Sequence, residues 1–166
     1  VTEAGSTPKD EDAARVAEQL GRPPRGVWTV VVRGPDGDPM VIGNAPLLDD
    51  GTPMPTRYWL TSPRLRLAID RLEAAGGVRQ AEAAVDPGEL ADAHRRYAAE
   101  RDGVIDDSWS GPRPSGGVGG TRRGVKCLHA HYAWYLAGGD DPVGRWVHTR
   151  LATDGNAAVL STPGRP

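Results

Sequence analysis

The sequence predicts a single α+β domain: a small antiparallel sheet of about three strands packed against three to four helices. Three observations carry that expectation. The run Gly26-Val27-Trp28-Thr29-Val30-Val31-Val32-Arg33 is rich in β-branched residues. Across the turn formers Gly34-Pro35-Asp36-Gly37-Asp38-Pro39 it meets Met40-Val41-Ile42-Gly43, the pattern of a hairpin. Ser62-Pro63 and Asp86-Pro87 each set a capping side chain before a proline and an apolar series at helical spacing. A length of 166 residues fits one core.

The elements follow in order. Residues 1–8 have the composition of a disordered tail, and the body spans 9–151. Residues 9–20 (KDEDAARVAEQL) form a helix whose acidic first turn suits the positive end of a helix, and Gly21 stops it. Arg22-Pro23-Pro24-Arg25 is extended and leads into a strand over 26–33, apolar enough to be buried on both faces. A partner strand covers 39–43, and a third covers 56–61, where Tyr58 and Trp59 lie between threonines.

A helix over 63–75 carries Leu65, Leu67, Ala68, Ile69 and Leu72 on a broad apolar face, and Gly76-Gly77 closes it. A second, over 87–101, has a thinner face of Leu90, Ala93, His94, Tyr97 and Ala98, with Arg95, Arg96 and Arg101 as its solvated surface. The stretch 102–120 holds six glycines and two prolines in nineteen residues, which marks a flexible insertion. The last helix runs over 124–137 and is closed by Gly138-Gly139. Residues 152–166 form an irregular tail. Asp140-Asp141 follows a helix end that disfavours acidic charge, and the sequence offers no reason for it.

Composition excludes several functions. With 20 basic against 22 acidic residues and a net charge of -2, no global field draws the chain to nucleic acid or to an anionic membrane. One cysteine permits no intramolecular disulfide, and no apolar run is long enough to cross a bilayer, so a soluble cytoplasmic protein is expected.

The most informative segment is Gly124-Val125-Lys126-Cys127-Leu128-His129-Ala130-His131, which sets the single cysteine and two histidines at the start of the one strongly aromatic helix. On a regular helix from residue 124, Val125, Leu128, Tyr132, Tyr135 and Leu136 share a core-facing arc with His129 at its edge. Cys127, His131 and Trp134 share another. Cys127 and His129 then lie about 200° apart and cannot ligate one metal, and no residue spacing selects the remaining ligands of a closed zinc site.

Two chemistries remain. Free N–H groups at the helix start, with Arg122, Arg123 and Lys126 and with His129 nearby, suit a phosphate or carboxylate. No Walker or G-x-G-x-x-G pattern accompanies them, so no cofactor is expected. Alternatively, Cys127 with His131 one turn on serves as a nucleophile and base of a hydrolase or transferase. Interaction with a protein partner through the hairpin at 34–39 or the 102–120 segment is a third possibility.

The ordered set Leu20-Gly21-Arg22-Pro23-Pro24-Arg25-Gly26-Val27, Asp50-Gly51-Thr52-Pro53-Met54-Pro55-Thr56, Leu60-Thr61-Ser62-Pro63-Arg64-Leu65 and Val125-Lys126-Cys127-Leu128-His129 resembles a bacterial, mainly actinobacterial family. That family is the domain of unknown function five-hundred-and-one. The resemblance spans about residues 20–145 and implies a link to cell division or polyphosphate metabolism. Members often carry Arg-Cys-Pro at Arg33-Gly34-Pro35, Cys or His at Ser62, and His at Trp134. If those groups form a metal or thiol site in such members, this chain lacks most of the set. The expectation is therefore a non-enzymatic binding or regulatory module for a small anion, without metal, nucleic acid or membrane.

Overall fold

The protein is described from a computed structural model over residues 10–153. The tail expected at 1–8, and most of that at 152–166, lie outside the described residues. Helix α1 (Asp10–Leu20) precedes a three-stranded antiparallel meander of β1 (Trp28–Arg33), β2 (Pro39–Asn44) and β3 (Tyr58–Leu60). Five helices follow: α2 (Pro63–Ala74), α3 (Gly77–Ala84), α4 (Pro87–Asp102), α5 (Leu128–Leu136) and α6 (Pro142–Thr153). The α+β single-domain architecture is as the sequence predicts.

The sheet divides the interior in two. On one face α1 covers a small cluster of Val16, Trp28 and Ile42. The main core takes Val32, Met40, Val41, Tyr58 and Leu60 from the sheet and packs them against Leu65, Ile69, Tyr97, Leu128 and Tyr132. Burying an aliphatic side chain of this size contributes roughly 1.5–3 kcal/mol, so the larger layer dominates stability. The strand buried on both faces is β2 rather than β1. As an edge strand β1 leaves Val31 43 % exposed, and two irregularities in its pairing with β2 kink it.

Caps set the helix boundaries. Ser62 Oγ accepts from Leu65 N–H at 3.5 Å, Asp86 Oδ2 accepts from Glu89 N–H at 2.9 Å, and a proline follows each cap. The same device opens α6, where Asp141 Oδ1 accepts from Val143 N–H at 2.9 Å and Gly144 N–H at 3.2 Å. Asp141 is therefore a helix cap, which accounts for an acidic residue that follows one helix by opening the next. Gly144 lets α6 approach α5 closely, since a Cβ there would stand 2.3 Å from Tyr135 Cβ.

Arg101 departs most from expectation. Placed by the sequence on a solvated face, it is 1 % exposed, and its guanidinium forks onto the Asp102 carboxylate at 2.7 and 3.1 Å. Its remaining N–H groups donate to the carbonyls of Gly116 at 2.9 Å and Pro55 at 3.3 Å. The glycine-rich stretch 102–120 is thereby tied to α4, and Val118 within it is fully buried. His94 holds the far side: Val118 N–H donates to Nδ1 at 3.1 Å and Nε2–H donates to Gly124 O at 3.0 Å, which requires the neutral ring.

Two outcomes are expected. Arg101→Ala should lose about 1–3 kcal/mol of stability in urea unfolding for each buried carbonyl it leaves without a donor. Arg101→Lys should lose a substantial part of that, since an ammonium cannot fork; a Lys variant as stable as wild type would contradict the assignment. Burial holds His94 below its ordinary value of 6.5, with neighbouring His131 pushing the same way and Gly124 O and Asp141 opposing. A depressed pKa means the unfolded chain takes the proton first, so this contribution is intact above pH 6.5 and is lost as pH falls through the folded value. NMR titration should find the His94 ring protonating below 6.5 with the Val118 amide becoming exchangeable in step; protonation above 6.5 would contradict it.

Candidate functional site

Helix α5 begins at Leu128, four residues later than the sequence predicts. Gly119, Gly120 and Gly124 have φ of 66°, 78° and 63°, a left-handed backbone that other residues rarely adopt and that a helix cannot contain. Cys127 is extended, with φ -153° and ψ 147°, so it precedes the first turn rather than lying on it. The glycine at 124 also makes room for a carboxylate, because a Cβ there would stand 2.2 Å from Glu82 Oε1.

The start of α5 is occupied by the protein's own acids. Leu128 N–H donates to Glu73 Oε1 at 2.6 Å, and Val125 N–H donates to Glu82 Oε1 at 3.3 Å. His129 lies between Asp70 Oδ1, 3.2 Å from Nε2, and Glu73 Oε1, 3.4 Å from Nδ1. The expectation of an anion held by free N–H groups of this helix is thus corrected: α2 and α3 reach across and supply the negative charge themselves. Arg122 and Arg123 line neither described cleft, and Thr121 Oγ–H closes their turn by donating to Arg123 O at 2.8 Å.

Cys127 and His131 are not brought together as a pair. His131 is 1 % exposed and its Nδ1 is bonded at 2.7 Å to Asp141 Oδ2, itself fully buried, on the α6 side of the helix. Cys127 instead lines a cleft on the other side. Burial pushes the Cys127 thiol up, and the Glu73 charge adds to the rise against the opposing N–H of Ala130 and charge of Lys126. A thiol held protonated is a poor nucleophile. Helix α5 is in fact buried nearly all round, Trp134 and His131 as deeply as Tyr132, because α6, β3 and α2 pack on it and side chains of α4 reach Trp134. Trp134 donates its indole N–H to Glu100 Oε2 at 3.0 Å, and Tyr58 O–H donates to Glu100 Oε1.

The larger described cleft, about 440 Å³, opens between the end of α1, β3, α2 and the Gly119 to Cys127 turn. Besides Cys127 and His129, Arg22, Arg66, Lys126 and Asp70 line it, with Tyr58 and Trp59 on the sheet side. Arg66 donates to Gln19 O at 2.9 Å. Asp70 serves His129, while none of the three cations pairs with a carboxylate among the described residues. Lys126 and His129, which the sequence singles out, lie on this cleft beside Arg22 and Arg66, which it does not single out because they come from segments about sixty to a hundred residues away and carry no local signal.

The chain belongs to the DUF501 family, described as protein of unknown function, whose sequence model matches residues 30–149. No curated protein and no solved structure matches it. Among the described residues, no helix is long and apolar enough to cross a membrane, and no three His, Cys, Asp or Glu side chains gather as a metal cluster would.

Alkylation reads the thiol directly. At pH 7.5 Cys127 should react with iodoacetamide more slowly than the same cysteine in the urea-unfolded chain, and a faster reaction in the folded protein would contradict a raised thiol pKa.

Proposed function

We propose that this domain is a binding module for a small anionic ligand, phosphate- or carboxylate-bearing, seated in the 440 Å³ cleft. One observation carries the proposal: Arg22, Arg66 and Lys126 converge on that cleft without a carboxylate partner among the described residues, against the single acid Asp70. Three cations facing a partly enclosed space attract an anion more strongly than the same charges spread on a convex surface. The volume lies within the roughly 300–1,000 Å³ common for small-molecule sites.

The binding elements differ from those expected at 121–129. Lys126 remains, Arg22 and Arg66 replace Arg122 and Arg123, and the ring of His129, with a carboxylate beside each nitrogen, orients the wall rather than the ligand. Cys127 contributes a protonated, half-buried thiol to that wall. A binding role accommodates such a thiol; nucleophilic catalysis needs the opposite shift.

Thermal unfolding at low ionic strength tests the proposal. A ligand present at 100 times its Kd should stabilise the fold by about 2.7 kcal/mol, so phosphate, pyrophosphate or polyphosphate should raise Tm by several degrees. Lys126→Ala and Arg66→Ala should each remove most of the rise, and the double variant Arg122→Ala with Arg123→Ala should keep it. No rise with any anion, or a rise unaffected by Lys126→Ala, would refute the proposal.

A further inference from the structure

We propose that a second, smaller cleft beside the first takes the other end of the same ligand, an uncharged ring carrying an N–H donor; this rests on the anion-binding proposal above. The second cleft measures about 260 Å³ and shares Leu20, Arg22 and Trp59 with the larger one, so the two adjoin across those residues. The indole N–H of Trp59 donates to Thr56 O at 3.1 Å, which fixes the ring in the shared wall.

Asn44, the last residue of β2, lines the second cleft and is 4 % exposed. Its side-chain nitrogen donates to Arg25 O at 3.2 Å, and because a carbonyl only accepts, that bond settles which end of the amide is oxygen. Oδ1 is buried and has no donor among the described residues. Such an acceptor is costly to leave unpaired, which makes it selective for whatever supplies the missing N–H. Gln19 Oε1 and His131 Nε2 are also buried without a partner, but neither residue lines a described cleft.

The surroundings define the donor's chemistry. Arg22 and Arg25 lie on the same cleft and disfavour a cationic group, while Ile42, Met54 and Trp59 supply an apolar, partly aromatic lining. An uncharged amino-bearing heterocycle meets all three conditions. Joined to a phosphate in the neighbouring cleft, it has the composition of an aminopurine nucleotide.

Isothermal titration with four compounds separates the two clefts. Ribose 5-phosphate reports the anion cleft alone. Adenosine 5′-monophosphate and purine riboside 5′-monophosphate differ only in the 6-amino donor, and inorganic phosphate sets the baseline. The adenine nucleotide should bind at least tenfold tighter than the purine riboside nucleotide, and Asn44→Ala should collapse that gap while leaving ribose 5-phosphate binding as in wild type. Equal binding of the two nucleotides, or a gap that survives Asn44→Ala, would overturn the inference while ribose 5-phosphate binding leaves the anion cleft standing. Should Asn44→Ala fail to fold, the gap in the wild-type protein decides. If no phosphate compound binds at all, the anion cleft falls and this inference falls with it.

Discussion

The hydrogen bond from Leu128 N–H to Glu73 is the constraint on which the site depends. It brings a carboxylate from α2 to the positive end of α5, where an N-terminal acid contributes roughly 0.3–1 kcal/mol and more when partly buried. With the helix starting there, residues 121–127 stay outside it as a bent segment, left-handed at Gly124 and extended at Cys127, and Lys126 and Cys127 line the cleft. A helix beginning at Gly124 would have carried Lys126 around its own axis and offered backbone N–H groups to a ligand. The protein instead gives the Leu128 and Val125 N–H groups to Glu73 and Glu82, and the cations on the cleft are side chains.

Buried polar groups keep that geometry in place. Arg101 and His94, both on α4, clamp the two ends of the glycine-rich crossing at 114–124, and Gly119 in its middle lines the cleft. Such a crossing buries little apolar surface of its own, so its order rests on hydrogen bonds whose partners are shielded from water. Tyr97 joins the same network: it accepts from Arg57 N–H at 2.6 Å and donates to Pro55 O at 3.4 Å. Burial pushes its phenol up to about 12. The wall of the cleft that looks loosest in composition is thus held by hydrogen bonds from buried side chains of α4.

Local chemistry was legible in the sequence and long-range chemistry was not. Ser62-Pro63 and Asp86-Pro87 mark the starts of α2 and α4, and the hairpin follows from its turn residues. Helix α3 was missed because Gly76-Gly77 reads as a stop, whereas Gly76 at φ 85° closes α2 and Gly77 opens the next helix. Helix α6 carried the same Asp-Pro signal as α4, at Asp141-Pro142, but its acid looked misplaced behind α5. At the site, Lys126 and His129 stood out by their neighbours. The pairings Glu73 with Leu128, Asp70 with His129 and Arg101 with Gly116 link residues 15 to 59 positions apart, and no periodicity encodes them.

The most direct test of the account is a ¹⁵N–¹H NMR titration with inorganic phosphate, read at the backbone of α5 and at the cleft. The account expects shifts at Lys126, Arg66 and the Trp59 indole N–H, with the Leu128 amide unmoved because Glu73 retains it. Dominant shifts at Leu128, Arg122 and Arg123, with Arg66 and Trp59 silent, would place the anion at the helix start and contradict it.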